Sequence, residues 1–264
     1  MNIPYYHIDS FANQLFEGNP AGVCLLDAWP ADATLQHIAS ENNLPETAFL
    51  VPQGENHEIR WFSTQMEIDL CGHATLAAGY VLLNRTRTAT GIARFFSPRS
   101  GELTVTRKND LLVLDFPTQS PVPCPAPPEL AAALGKSPIA VLKSQDYLAV
   151  YDDEDEISAM TPNFDLLKRL GLRGVIVTAK GKKADFVSRF FAPKIGIDED
   201  PVTGSAHCAL VPYWKNVLNK TTFHAVQLST RGGELFCEDQ GNRVLIAGRA
   251  FCYLHGTITI ENFD

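Results

Sequence analysis

The stretch Glu67-Ile-Asp-Leu-Cys-Gly-His-Ala-Thr-Leu-Ala-Ala-Gly-Tyr80 (EIDLCGHATLAAGY) sets polar and reactive side chains directly before a run of small apolar ones. From Ala74 to Leu83 the run is apolar on nearly every side, which in a helix means burial all round. The free N–H groups of such a helix's first turn, together with its dipole, make an anion site, and glycine lets a ligand approach the backbone. Cys71, Gly72 and His73 therefore read as the wall of a carboxylate pocket at the start of a buried helix from about residue 73. On spacing alone, His73 as a plain N-terminal cap and Gly72 as a tight-turn residue read equally well.

The pattern occurs twice. Arg60-Trp-Phe-Ser-Thr-Gln-Met-Glu-Ile-Asp69 is echoed 129 positions on by Arg189-Phe-Phe-Ala-Pro-Lys-Ile-Gly-Ile-Asp198, and Ser97-Pro-Arg-Ser-Gly-Glu-Leu103 is echoed 132 positions on by Ser229-Thr-Arg-Gly-Gly-Glu-Leu235. A duplication with three extra residues between Asp198 and Gly204 accounts for both offsets. The second apolar helix then starts near 205, at Ser205-Ala-His-Cys-Ala-Leu-Val-Pro-Tyr-Trp214, where Pro212 is expected to kink or shorten it. Six prolines in the twelve residues 117 to 128 predict an extended connector and a division into halves 1–118 and 129–264.

Outside the two apolar helices the chain reads mostly as strands. Ala48–Val51, Ile59–Phe62, Glu102–Thr106 and Leu111–Phe116 in the first half are answered by Gly174–Thr178, Phe186–Phe191 and Arg243–Ile246 in the second. Further helices are expected over Ala33–Asn42, Glu129–Leu134 and Asn163–Leu170, the last two capped by Gly135 and Gly171.

Composition excludes several classes. A chain of 264 residues, 45% hydrophobic and 20% charged, buries a sizeable core, and a formal charge of -8 leaves no basic footprint for nucleic acid or acidic lipid. No apolar run reaches the roughly 20 residues of a membrane span, and MNIPYYHIDSF has neither the basic nor the apolar region of a signal peptide, so a cytoplasmic protein is expected. The six cysteines form no CxxC pair or zinc-ligand spacing and are expected as free thiols; no metal site is expected. Ser205 and His207 lie two apart on a helix and no Gly-x-Ser-x-Gly elbow is present, which disfavours a hydrolase.

Four motifs together resemble the phenazine-biosynthesis PhzF-like family. These are His7-Ile-Asp-Ser-Phe with Gly18-Asn-Pro-Ala-Gly-Val23, then Asn43-Leu-Pro-Glu-Thr-Ala-Phe49, Asp69-Leu-Cys-Gly-His-Ala-Thr-Leu76 and Glu199-Asp-Pro-Val-Thr-Gly-Ser-Ala-His-Cys208. The resemblance implies an α+β fold of the diaminopimelate epimerase kind, in which each of two pseudo-repeated halves is a β-barrel-like sheet wrapped around a central helix. It places the active site in the cleft between them and allows the last strand to pair with the first half. It also implies an isomerase, with Glu46 as the central base and His73, Asp200 and Ser205 as further catalytic groups. Cys71, Gly72 and Gly204 would line the substrate. No cofactor is expected, and the expected partners are a small carboxylate substrate and a second copy of the chain in a homodimer.

Moving a proton from carbon needs a carboxylate near the C–H bond, a group that returns a proton, and donors that hold the anion formed. Judged by residue type alone, Glu46 reads instead as a surface carboxylate, Asp200 as a turn former, Ser205 as a cap and His207 as a core histidine. Two other readings stand beside the cofactor-independent isomerase. One is a Cys71-dependent amino-acid epimerase or racemase, for which the place matching Cys71 is read as Pro201 and offers no second thiol. The other is a non-catalytic small-molecule binding protein.

Overall fold

The structure, a computed structural model, describes residues 1–85 and 91–260. The chain forms two compact units, Met1–Asp115 with Ala247–Asp264, and Phe116–Ile246. The division thus falls at two chain crossings. The second half expected as 129–264 loses its final segment to the first unit.

In the first unit the order is β1 (Asn2–Ser10), β2 (Asn19–Leu25), α1 (Asp32–Asn42), β3 (Glu46–Gln53), β4 (Asn56–Ser63), β5 (Glu67–Ile68), α2 (Gly72–Arg85), β6 (Ile92–Ser97), β7 (Gly101–Lys108) and β8 (Leu111–Pro117). The chain's last strand, Ala250–Thr259, runs antiparallel to β1. From it the ladder passes through β1, β2, β3, β4, β6, β7 and β8, parallel at β2–β3 and β4–β6 and antiparallel elsewhere.

This sheet curls around α2, which packs against β1, β2, β3, β6, β7 and the last strand. Ala74, Leu76, Ala77, Ala78 and Val81 are buried, as an apolar helix inside a sheet requires. At Gly79 the helix approaches β7 so closely that a Cβ would lie 2.5 Å from Val105. On the outer face α1 covers β3 and β4, with Leu35, Ile38, Phe49 and Phe62 in one core cluster.

The second unit repeats the plan. Its elements are β9 (Val122–Pro123), α3 (Leu130–Leu134), β10 (Ala140–Lys143), β11 (Tyr147–Val150), α4 (Glu154–Ser158), α5 (Phe164–Leu167), β12 (Val175–Lys180), β13 (Phe186–Ala192), β14 (Ile197–Asp200), α6 (Gly204–Leu218), β15 (Thr222–Gln227), β16 (Gly233–Asp239) and β17 (Arg243–Gly248); the last strand is β18. The ladder β9, β10, β11, β12, β13, β15, β16 has its parallel steps at β11–β12 and β13–β15, matching those of the first unit. The proline connector supplies β9, and α5 ends at Leu167, three residues short of the expected helix. Inside this sheet Trp214 of α6 stacks on Phe186 of β13 at 5.7 Å and donates its indole N–H to Thr178 of β12 at 3.0 Å.

Pro212 does not shorten α6, which runs on to Leu218. The carbonyl that Pro212 cannot engage, that of Cys208, accepts instead from the backbone N–H of Gln119 at 3.0 Å.

The structure also moves the insertion that separates the repeats. Trp61 stands opposite Ile68, while its counterpart Phe190 stands opposite Asp200, so the three extra residues lie in the β13–β14 connection with its 3-10 turn, Pro193–Ile195. Arg60 grips Glu67 at 2.7 and 2.9 Å, and Arg189 grips Glu199 at the same two distances. Ser97 accepts the backbone N–H of Ser100 at 3.3 Å, as Ser229 accepts that of Gly232 at 3.1 Å. The counterpart of Asp69 is therefore Pro201 rather than Asp198, and the counterpart of Cys71 is Thr203 rather than Pro201.

Candidate active site

Three strand ends of the first unit converge on the start of α2. Ser10, the last residue of β1, donates its hydroxyl to the carbonyl of His73 at 2.8 Å. Asn19 opens β2 and holds its amide 3.2 Å from Nδ1 of His73. Gly18 before it has φ +71°, and a Cβ there would lie 2.2 Å from the Ser10 carbonyl, so only glycine brings these two strand ends together.

Glu46 opens β3, paired in register with Ala21 and Ser63. Its Oε2 lies 3.1 Å from Nε2 of His73, and both residues are buried, at 6% and 5% exposed. The third member, Cys71, sits immediately before the helix with Sγ 3.5 Å from Nδ1 of His73, while its carbonyl receives the Thr75 hydroxyl. Glu46, on its residue type a surface carboxylate, is thus walled in beside the positive end of a helix.

Burial raises the pKa of the Cys71 thiol, against the opposing pull of His73. Burial alone would lower the pKa of His73, but the Cys71 sulfur and the Glu46 carboxylate outweigh it, so the imidazole titrates well above its ordinary value of 6.5. The resulting arrangement is a carboxylate beside an imidazolium. Asn19 can turn its amide oxygen toward a charged ring or its NH2 toward a neutral one, so it suits either protonation state. Glu46, Cys71 and His73 also offer ligand atoms within 4.8 Å of one another, the one such group of three among the described residues. The 3.1 Å Glu46–His73 contact is a hydrogen bond, and metal ligation at the usual 2.0 to 2.3 Å would have to break it.

In the second unit the start of α6 carries a different set. The hydroxyl of Thr203 donates to Oδ2 of Asp200 at 2.5 Å and does not cap the helix. Gln227 locks this corner, accepting from the Thr203 N–H at 2.9 Å and donating to the Asp200 carbonyl at 2.8 Å. Ser205 lies within 3.3 Å of Nη2 of Arg173. His207, fully buried, hydrogen-bonds through Nδ1 to the carbonyl of Thr203 at 2.9 Å, and burial lowers its pKa to about 4, so the ring is neutral and Nδ1 is the donor. At Gly204 a Cβ would meet nothing within 4 Å.

The first unit thus brings Glu46, Cys71, Gly72 and His73 together, and the second brings together Asp200, Gly204 and Ser205. Sequence reading passed over Ser10, Asn19, Thr203, Gln227, Asp146 and Arg173. Asn19 and Thr203 lie inside the quoted motifs, where their types could have flagged them. Asp146, Arg173 and Gln227 carried no local signal, because only the sheet register brings them to the helix start.

Two like units, each an open sheet around one helix whose start is ringed by polar groups, define the epimerase and isomerase class of fold. A hydroxyproline epimerase of Agrobacterium vitis has this fold at a TM-score of 0.62 and 9% identity, over 99% of this chain and 93% of that one. Residues 8–256 match the family described as phenazine biosynthesis-like protein. Two uncharacterized isomerases of Pseudomonas aeruginosa are 50% and 51% identical over 98% and 99% of this chain and 99% and 100% of their own lengths. A phenazine biosynthesis protein of the PhzF family from Enterococcus faecalis has a TM-score of 0.96 at 48% identity, covering 98% of this chain and 100% of that one. The chain belongs to the phenazine biosynthesis-like family, and it is an isomerase. Among the described residues no helix is long and apolar enough to cross a membrane.

Proposed function

We propose that the enzyme moves a proton, and with it a double bond, on a small carboxylated substrate without a cofactor. The observation that carries this is the buried Glu46–His73 pair at 3.1 Å beside the first turn of α2. A carboxylate removed from water is a competent base for a carbon acid, and the imidazole beside it holds it in orientation. Glu46 takes the proton from one carbon, electron density moves into the adjacent π system, and a proton returns to another carbon from Glu46 or His73. Atoms and electrons balance within the substrate. Asp200 and Ser205 take their parts from the family resemblance: Asp200 assists proton return, and Ser205 binds carboxylate.

A Cys71-based epimerase draws support from the thiol's 3.5 Å approach to His73. Against it stand the raised thiol pKa and the hydroxyl residue Thr203, not a second cysteine, at the matching place.

The test is deuterium incorporation from D2O, read by mass spectrometry, across a panel of small carboxylates, amino acids and diaminopimelate. Label should enter one compound, and Glu46→Gln should cut the rate by about 10²- to 10⁴-fold. Full turnover in Glu46→Gln would overturn the reading; survival of exchange there with loss in Cys71→Ala would establish the thiol mechanism instead.

A further inference from the structure

The ladder of the first unit begins on β18, and one edge of that strand is unpaired. Among the described residues β18 pairs with β1 alone. From His255 to Thr259 its backbone makes no hydrogen bond to a described residue outside that ladder. Tyr253 to Thr257 are exposed without a break, Tyr253 at 50% and Leu254 at 45%. A shift between His7 and Ile8 interrupts the register opposite Tyr253, so the regular part of the edge is Leu254–Thr259.

Proteins ordinarily blunt such an edge with lysine, proline or a covering segment. Here residues 250 to 260 include no Asp, Glu, Lys or Arg, and the one charged residue of β1, Asp9, is 1% exposed. Copies of a chain with formal charge -8 repel one another over most of their surface, but on this uncharged strip they meet without that repulsion.

Beside the strip stands Phe16, 67% exposed and in the left-handed region at φ +74°, a costly conformation for a residue with a side chain. Oδ2 of the buried Asp9 holds it there, accepting its backbone N–H at 3.0 Å. The Phe16 ring meets Tyr253 edge-on at 5.7 Å, and Tyr253 meets His7 at 5.0 Å. Packing on Tyr253 explains the contact, but not why a ring held at such cost is left so largely in water. Alternation along β1 sets His7 and Asp9 on the face opposite Ser10, the residue that reaches His73, so the ring is presented away from the catalytic groups.

We propose that β18 is the interface strand of a homodimer, lying antiparallel to β18 of a second copy over Leu254–Thr259, with Phe16 and Tyr253 of each copy packed on the other. A strand edge turned about a two-fold axis faces its own donors and acceptors in antiparallel order, so one unpaired edge supplies both sides of the ladder.

Light scattering during size-exclusion chromatography of the full chain should give twice the chain mass of 29.0 kDa. Leu254→Lys with Thr257→Lys puts charge on the exposed edge and should give the single-chain mass with an unchanged circular dichroism spectrum. Val217→Lys, at an apolar residue of α6 that is 53% exposed, is the control and should remain dimeric. Phe16→Gly removes the ring and suits the left-handed backbone, so it should keep the fold and weaken the dimer at least about 10-fold on dilution. A wild-type chain of any other mass overturns the proposal, as does a folded lysine variant that stays dimeric, or loss of the dimer in Val217→Lys as well. Should the lysine variant fail to fold, undiminished association of Phe16→Gly overturns it.

Discussion

His207 sets an acid limit on the stability of the second unit, and its size follows from the site. The imidazole is fully buried among Phe186 and the start of α6, and burial takes its pKa from the ordinary 6.5 to about 4. A pKa depressed on folding means that the unfolded chain binds the proton more readily. Stability from keeping this ring neutral is complete above pH 6.5 and drains away as the pH falls toward about 4. A displacement of about 2.5 pH units corresponds to about 3 kcal/mol in all, of which about 2 kcal/mol is gone by pH 5.

The perturbation is His207→Asn, which keeps an N–H near the position of Nδ1 for the Thr203 carbonyl but cannot titrate. The variant should be less stable at pH 7.5, because it leaves a small cavity against Phe186. Its stability should nevertheless fall less on acidification than that of wild type. Urea denaturation followed by tryptophan fluorescence at pH 7.5, 6 and 5 gives both curves, and groups common to the two proteins cancel in the difference. The wild type should lose about 2 kcal/mol more than the variant between pH 7.5 and 5. Parallel curves, agreeing within about 0.5 kcal/mol, would refute the assignment of a neutral buried ring.

Two further outcomes are expected beside the exchange and light-scattering experiments. In ¹⁵N NMR of histidine-labelled protein, His73 should carry both ring protons at pH 7.5. Its pKa is raised, so its contribution to stability is complete below 6.5 and disappears only as the pH climbs through the higher folded value; a ring already neutral at pH 7 would contradict the Glu46–His73 pairing. Gly79→Ala should destabilise by about 1 to 3 kcal/mol despite alanine's better helix propensity, because its Cβ would fall 2.5 Å from Val105. Val105→Ala in the same chain should recover part of that loss; a stabilised single variant would show that α2 does not approach β7 so closely.

Much of this protein was legible as sequence. The all-round apolar character of Ala74–Leu83 and of its partner from Ala206 marked two buried helices, since only a helix enclosed by other elements tolerates such a surface. The repeated Arg60 and Arg189 segments announced two like units, and the strand positions followed from alternation and turn residues. The four motifs drew attention to Glu46, His73, Asp200 and Ser205. What the chain could not reveal by itself was anything fixed by register. Sequence offsets placed the insertion after Asp198, but the paired grips of Arg60 on Glu67 and Arg189 on Glu199 put it in the β13–β14 connection and make Thr203 the counterpart of Cys71. Pro212 is a helix breaker by its covalent structure, yet α6 continues because Gln119, far away in sequence, takes up the freed carbonyl. Glu46 looked like a surface residue because local sequence carries no measure of burial. Its partner is His73, 27 residues after it, which Asn19, 27 residues before it, meets on the other ring nitrogen; contacts of that range exist only once three strand ends have closed over the start of one helix.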